Sequence, residues 1–120
     1  MPRILFADDN KEIRGIISSM LDKLGYDVVT ADDGAEAIKK FNESSFDVVV
    51  TDLMMPGTNG YDLAKHIRKK ANGAIPTVIG ITGTAWDVDL SFFDIVLEKP
   101  FSIKKLIKCI NDLENKQELS

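Results

Sequence analysis

An uninterrupted run of valines at positions 48–50 is the feature that most limits how this chain can fold. Three β-branched residues without polar alternation suit a strand that is covered on both faces, as in the centre of a parallel sheet. The run continues through Thr51 to Asp52, so we expect a carboxylate at the carboxyl end of this strand. Ligands of open α/β sheets bind outside those ends, which makes Asp52 a candidate functional residue. The alternative interpretation is a carboxylate that caps the following turn.

Short apolar runs alternate with stretches of helical spacing along the rest of the chain. Besides the central run, strands are predicted at residues 4–7, 26–30, 77–82 and 95–97. Asn10 is predicted to cap a first helix, whose apolar residues recur at three- and four-residue steps: Ile13, Ile16, Ile17, Met20, Leu21 and Leu24. A second helix is predicted from about Ala35, with Ala35, Ile38 and Phe41 buried. A third is marked by Leu63, Ala64 and Ile67, and a last follows Ser102 and ends before a polar tail at 116–120.

This alternation of strands and helices predicts an α/β fold. Right-handed crossovers would place helices on both faces of a five-stranded parallel sheet, for which we expect the flavodoxin-like strand order 2-1-3-4-5. Residues 83–94 leave little room for a helix between the fourth and fifth strands, so that helix is expected to be shortened or missing. The length of 120 residues, without linker or repeat, predicts one domain over residues 1–120 and no attached output domain.

Charge and cysteine content disfavour several classes of protein. A formal net charge of -4 disfavours direct binding of nucleic acid, because a basic surface is needed to compensate the phosphates. The lone Cys109 excludes an internal disulfide and fits a reducing compartment. Because no apolar run approaches the length of a membrane span and the N-terminus lacks a secretory signal, we expect a cytoplasmic protein that does not bind membranes.

Polar side chains at the predicted strand ends would meet at one edge of the sheet, namely Asp8, Asp9, Asp52, Thr82 and Lys99. Three converging carboxylates raise one another's pKa unless a divalent cation neutralises them. Oxygen ligands without His or Cys nearby favour Mg²⁺. Each residue also has a plainer interpretation: acids that complement a helix N-terminus, a hydroxyl bonded to its own backbone, and a lysine paired with a surface acid.

A metal-held carboxylate at a strand end is a competent nucleophile toward phosphorus, which would make Asp52 the acceptor in an aspartyl phosphate. Phosphoryl transfer needs mainly positioning and charge compensation. The cation and the Lys99 ammonium could each take a phosphoryl oxygen, and the Thr82 hydroxyl could donate to a third.

Four motifs, in this order and at this spacing, resemble the receiver domains of two-component response regulators, in particular chemotaxis-regulator-like single-domain receivers. They are Ile4-Leu5-Phe6-Ala7-Asp8-Asp9-Asn10, Val50-Thr51-Asp52-Leu53-Met54-Met55-Pro56-Gly57, Ile81-Thr82-Gly83 and Leu97-Glu98-Lys99-Pro100-Phe101. The resemblance implies that Asp52 accepts a phosphoryl group from a histidine kinase or histidine phosphotransfer protein in a phosphorelay. It also implies that Asp8, Asp9, Asp52 and the backbone carbonyl of Met54 bind Mg²⁺. Thr82 and Lys99 would sense the phosphoryl group, and the peptide bond between Lys99 and Pro100 would be cis.

Two features depart from the family pattern. The aromatic residue that usually stands three positions before the lysine is Val96 here, and the segment between Thr82 and Lys99 looks shorter than in typical members. The region expected to respond to phosphorylation consists of Gly83, Thr84, Trp86 and Val96. We hypothesise that the missing aromatic is replaced by Trp86, Phe92 or Phe93.

These features predict a phosphoacceptor switch that catalyses only its own phosphorylation and slow dephosphorylation, rather than an enzyme. Its signal would pass to another, unknown protein. A receiver-like module that binds partners without phosphorylation is the first alternative, which the presence of all five site residues disfavours. A metal-dependent phosphatase is the second, but it needs a general acid and a substrate pocket, and no insertion here is long enough to build them. The single histidine, His66, is expected to be solvated.

Overall fold

Five strands alternate with four α-helices in the computed structural model, which describes residues 2–55, 57–70, 75–83 and 90–119. Side chains of the last helix are described as far as residue 112. The strands are β1 (Arg3–Ala7), β2 (Asp27–Ala31), β3 (Val48–Asp52), β4 (Thr77–Thr82) and β5 (Ile95–Glu98). The helices are α1 (Lys11–Lys23), α2 (Gly34–Glu43), α3 (Gly60–Lys70) and α4 (Ile103–Leu119), and a 3₁₀ turn spans Leu90–Phe92.

All strand pairs are parallel, and the strand order is β2-β1-β3-β4-β5. The predicted flavodoxin-like fold is therefore confirmed. Ala7 pairs with Thr51, and Asp52 pairs with Ile81, so the carboxyl ends of the three middle strands lie at the same edge of the sheet.

The central strand β3 is buried along its whole length because helices cover both faces of the sheet. Val49 belongs to a core cluster that includes Leu63 and Ile67 of α3, whereas Val48 and Val50 belong to a cluster with residues of α1 and α4. Burying a valine side chain contributes about 1.5 to 3 kcal/mol relative to exposure. The unbroken valine run is thus explained by a strand that has no solvent face.

Side-chain caps begin the helices as the sequence predicts. Asn10 Oδ1 accepts a hydrogen bond from the N–H of Ile13 at 3.0 Å, and Ser102 Oγ accepts one from the N–H of Lys105 at 3.1 Å. The prediction that Ala35 is buried was wrong. The buried residues of α2 are Gly34 and Ala37, because α2 begins at Gly34 against the β3–α3 loop, where a Cβ would overlap the carbonyl of Thr58.

One other prediction about the helices needs correction, and the apolar residues of α1 divide into two groups. Ile17 and Leu21 are buried, whereas Ile16, Met20 and Leu24 are exposed. These three residues recur every four positions and form a line displaced from the buried one. The predicted polar tail at 116–120 was also wrong, since α4 continues to Leu119.

The connection between β4 and β5 agrees with a shortened helix. Within its described residues, helical backbone is limited to the 3₁₀ turn at Leu90–Phe92. Thr84 and Trp86, on which part of the proposed switch rests, lie outside the described residues. In the part of the chain that the structure describes, no helix is both long and apolar enough to span a membrane.

Candidate functional site

Three carboxylates meet where β1 and β3 end. Asp8 follows β1 and is 1% exposed, while Asp52 is the last residue of β3 and is 4% exposed. The exposed Asp9 lies beside them. Each of the three contributes a carboxylate oxygen within 4.8 Å of the others. The structure thus brings together the acids that the strand pattern predicts at one edge of the sheet.

Lys99 joins this group from the end of β5. Its Nζ lies 2.7 Å from Asp52 Oδ2, and its backbone N–H donates to the carbonyl of Thr82 at 2.7 Å. Thr82 is the buried last residue of β4. The peptide bond between Lys99 and Pro100 is cis. Thr82 at the end of β4 and Lys99 just after β5 are therefore joined by a backbone hydrogen bond beside the acidic group.

The charges of the site shift the pKa of two of its residues. Burial raises the pKa of Asp8, and the charges of Asp52 and Asp9 add to this, while the N–H of Asn10 and the charge of Lys99 act against it. For Lys99, burial alone would lower the pKa, but the hydrogen bond to Asp52 and the charges of the three acids outweigh it, so its pKa is raised. A buried acid kept from ionising easily by neighbouring acids is suited to a bound cation.

The turn after Asp52 is packed tightly against the sheet and α3. Asp52 Oδ1 accepts a hydrogen bond from the N–H of Met54 at 3.0 Å, and the N–H of Leu53 donates to the carbonyl of Ile81 at 2.9 Å. At Gly60, a Cβ would lie 2.5 Å from the Asp52 carbonyl oxygen and 2.8 Å from Leu53 Cα. Only glycine fits there, so the start of α3 lies directly against the candidate nucleophile.

Beyond Thr82, the predicted switch region is described in part. Gly83 is exposed, and Val96 is half-buried in β5, where it pairs with Gly80. The described aromatic candidates, Phe92 and Phe93, differ. Phe92 is half-buried with Lys65 Nζ 5.5 Å from its ring centroid.

Phe93 is buried and reaches the sheet below the site. Its ring contacts the backbone of Gly80, where a Cβ would lie 3.0 and 3.1 Å from two ring carbons and 3.2 Å from Leu53 Cδ2. The rings of Phe93 and Tyr61 of α3 pack edge to face, with their centroids 5.7 Å apart. Phe93 therefore lies between the residue that follows Asp52 and α3.

Arg14 is a residue of the site that the sequence analysis did not identify. Its Nη1 donates to the carbonyl oxygen of Asp8 at 2.7 Å. The signal in the sequence was a cation close to the start of α1, where the helix dipole favours acids.

A second acidic group has a structural explanation. The carboxylate oxygens of Asp32, Asp33 and Glu36 also lie within 4.8 Å of one another. Asp33 caps α2 by accepting from the N–H of Glu36 at 2.7 Å, and Glu36 pairs with Lys40 at 2.7 Å. Hydrogen bonds with Asp32 and Lys40 lower the pKa of Glu36 to about 2.

His66, expected to be solvated, is half-buried instead. It lies on α3, and its Nε2 is 2.7 Å from Asn42 Oδ1. Burial and the charge of Lys70 lower its pKa. It serves as a link between α3 and the end of α2.

The fold and site define a doubly wound α/β protein whose parallel strands end on an acidic group and a lysine. The family model of the response regulator receiver domain matches residues 4–111. The chain belongs to this family.

Known relatives agree with this assignment. The transcriptional regulatory protein CpxR homolog of Haemophilus influenzae is 38% identical over 112 residues, which cover 89% of this chain and 48% of that protein. The chain thus spans about half the length of the curated relatives it matches. The matched segment is 48%, 42% and 44% of the length of three of these relatives.

Solved structures match more completely. The chemotaxis protein CheY4 of Vibrio cholerae has a TM-score of 0.85 at 29% identity, covering 93% of this chain and 98% of that one. The response regulator TrrA of Thermotoga maritima, solved in complex with Mg(2+)-BeF, has a TM-score of 0.84 at 34% identity, covering 94% of this chain and 99% of that one.

Proposed function

We propose that this chain is a phosphorylation-dependent signalling switch, in which Asp52 accepts a phosphoryl group from a histidine kinase or histidine phosphotransfer protein with the help of Mg²⁺. One observation carries the proposal. Carboxylate oxygens of Asp8, Asp9 and Asp52 lie within 4.8 Å of one another, and Lys99 Nζ lies 2.7 Å from Asp52 Oδ2. These residues would supply, at one edge of the sheet, the nucleophile, the cation ligands and the compensating charge that the proposal needs.

The donors of this group fit Mg²⁺. They are carboxylate oxygens, which this hard cation prefers, and the burial of Asp8 together with the charges of Asp52 and Asp9 raises the pKa of Asp8. We propose Asp8, Asp9 and Asp52 as ligands, with the backbone carbonyl of Met54 as a further one. When bound, the cation neutralises the acids and draws negative charge from the phosphoryl oxygens.

Asp52 is held in a fixed orientation for attack. Its Oδ1 accepts from the Met54 N–H and its Oδ2 pairs with Lys99. A carboxylate oxygen bonds to phosphorus as the bond from phosphorus to the donor's histidine nitrogen breaks, and the nitrogen keeps the electron pair. The Lys99 ammonium then pairs with a phosphoryl oxygen, and the Thr82 hydroxyl donates to another. Thr82 and Lys99 would transmit the event along β4 and β5.

An apolar groove beside Lys99 suits the docking of the phosphodonor protein. It has a volume of about 500 Å³ and is lined by Ile13, Ile16, Ile17, Lys99, Pro100, Phe101 and Ile103. The exposed Met20 and Leu24 of α1 continue this surface. A donor helix that packed on α1 would bring its histidine next to the site, since Lys99 belongs to both the groove and the site.

The rest of the proposal rests on charge and on the lone cysteine. A net charge of -4 supports an output partner that is a protein rather than nucleic acid. The lone Cys109 fits the reducing compartment of the cytoplasm. The chain would catalyse its own phosphorylation and slow dephosphorylation only, and would not act as an enzyme on other substrates.

Intact mass after incubation with acetyl phosphate and MgCl₂ tests the proposal. We expect a labile adduct of about 80 Da on the wild type, absent from Asp52→Asn. Asp27→Asn, which alters an exposed acid at the amino end of β2, is the control and should be modified like the wild type. An unmodified wild type, or an adduct that survives in Asp52→Asn, would favour an interaction module that works without phosphorylation of Asp52.

A further inference from the structure

Arg14 forms a contact that the proposed chemistry does not use. The half-buried Arg14 extends from α1, and its Nη1 donates to the Asp8 carbonyl oxygen at 2.7 Å. A guanidinium bound to a buried carbonyl makes a charge-assisted hydrogen bond, which is stronger than one between neutral groups. This contact acts on the peptide that carries a candidate metal ligand.

Asp8 is restrained on every side. Its N–H donates to the Ala31 carbonyl at 3.1 Å, its Oδ1 accepts from the Asn10 N–H at 2.8 Å, and its carbonyl accepts from Arg14. In the first two bonds the partner of Asp8 is a backbone group, of Ala31 or Asn10. In the third bond the partner is the side chain of Arg14.

Arg14 also has a cost that needs an explanation. It lies one turn after the cap Asn10, since its N–H donates to the Asn10 carbonyl at 3.0 Å. A cation near a helix N-terminus opposes the helix dipole. On the other side of the site, the charge of Arg14 acts on Asp32 in the loop after β2. The guanidinium thus bonds to the peptide of Asp8, and its charge acts on the acidic loop.

We propose that Arg14 is a positioning residue of the acidic site. By holding the Asp8 carbonyl, it keeps the Asp8 carboxylate close to Asp52 and preorganises the cation ligands. This inference rests on the proposed function, because its consequence is the affinity for Mg²⁺. Replacing a residue that orients a metal ligand through a hydrogen bond typically lowers metal affinity by about tenfold or more.

Positioning and charge predict opposite effects when Arg14 is replaced. If the residue mattered only as a positive charge near the acids, its removal would reduce repulsion and tighten Mg²⁺ binding. If it orients Asp8, its removal weakens binding even though a repelling charge is lost. The direction of the change therefore separates the two roles.

Calorimetric titration with MgCl₂ alone is the experiment. For Arg14→Met we expect a Kd raised by about tenfold, with a cooperative thermal unfolding transition retained. Lys23→Met is the matched control, because Lys23 is an exposed cation at the other end of α1. It lies about 13 Å further along the axis, beyond the screening length of about 8 Å, so its Kd should stay at the wild-type value.

A Kd for Arg14→Met equal to or below that of the wild type would overturn the inference while leaving the proposed function intact. Equal weakening in Lys23→Met would overturn it as well, since the effect would then not be local. A wild type that binds no Mg²⁺ would overturn both. Should Arg14→Met fail to fold, Arg14→Gln is measured against the same limits.

Discussion

The Lys99 ammonium lies 2.7 Å from Asp52 Oδ2, although the two residues are 47 positions apart in sequence. Asp52 is almost fully buried in this pair, whereas the Lys99 side chain is half-buried. A buried carboxylate of this kind is strongly destabilising when its charged partner is removed. The lysine gives this buried carboxylate a compensating charge, and in the proposed function the same lysine would follow the charge to the phosphoryl group.

Replacing this lysine should slow phosphorylation. In Lys99→Met, the developing phosphoryl charge loses a donor, and removal of one such donor costs about a hundredfold in rate. The initial rate of adduct formation with acetyl phosphate measures the effect by mass. Lys104→Met removes an equal charge from the exposed face of α4 and should leave the rate unchanged. Equal rates in the two variants would contradict the role of Lys99.

Asp8→Asn should stabilise the Mg²⁺-free protein. Burial and neighbouring acids raise the pKa of Asp8 above 3.8, so ionised Asp8 destabilises the fold. The loss of stability grows as the pH rises from 3.8 through the pKa of Asp8 in the folded state. It disappears at lower pH, where Asp8 is protonated in both the folded and the unfolded state. At pH 7 without Mg²⁺ we expect Tm to rise by roughly 3 to 6 °C, as about 1 kcal/mol produces in a domain of this size.

Added MgCl₂ should reverse this order. The wild type gains stability from a bound cation, whereas Asp8→Asn lacks a ligand and gains little. Asp112→Asn, an exposed acid on α4, is the control and should respond to MgCl₂ like the wild type. The prediction fails if Asp8→Asn is no more stable than Asp112→Asn without MgCl₂, or if both gain equally when it is added.

Phe93 is our candidate for the aromatic that the family usually has at the position of Val96. Its ring lies on Gly80 and faces Tyr61, so a rearrangement at Asp52 and Leu53 would reach α3 through it. In Phe93→Leu we expect smaller amide shifts at residues 92–97 when beryllofluoride and MgCl₂ are added. Phe46→Leu is the matched control, because both rings are 8% exposed. Wild-type shifts in Phe93→Leu would exclude Phe93 from the relay.

Ile16→Glu should impair phosphorylation by a donor protein but not by acetyl phosphate. The substitution places a charge in the apolar groove without touching the acids, and a central contact of an interface is worth about 2 kcal/mol or more, or roughly thirtyfold in affinity. Ile75→Glu is the control, since Ile75 is 46% exposed against 54% for Ile16 and lies next to the amino end of β4. Equal transfer to both variants from a purified cognate kinase would exclude the groove as the docking surface.

The fold could be predicted because its main signals are local. Unbroken apolar runs such as Val48 to Val50 indicate buried strands, and their order along the chain, alternating with helices, leaves few topologies. Asp8, Asp52, Thr82 and Lys99 were found for the same reason, since each directly follows or ends a strand.

Contacts between distant segments that do not lie at strand ends could not be predicted. The approach of Thr58 to Gly34 fixed the start of α2 and left Ala35 exposed, and no local pattern indicates such a contact. Likewise, helical spacing gave Ile16 and Ile17 the same weight, although one lines an exposed groove and the other is buried. The contact of Arg14 depends on the reach of a long side chain.

The bond from the Lys99 N–H to the Thr82 carbonyl has a consequence for how the site reports its state. A backbone hydrogen bond between adjacent strands links the two residues that would read the phosphoryl group, so a displacement of one is passed to the other. In the proposed function they would form a single reporter with two side chains. Substitutions at the two positions should therefore be non-additive, and a double-mutant cycle would return a coupling energy that two independent sensors would lack.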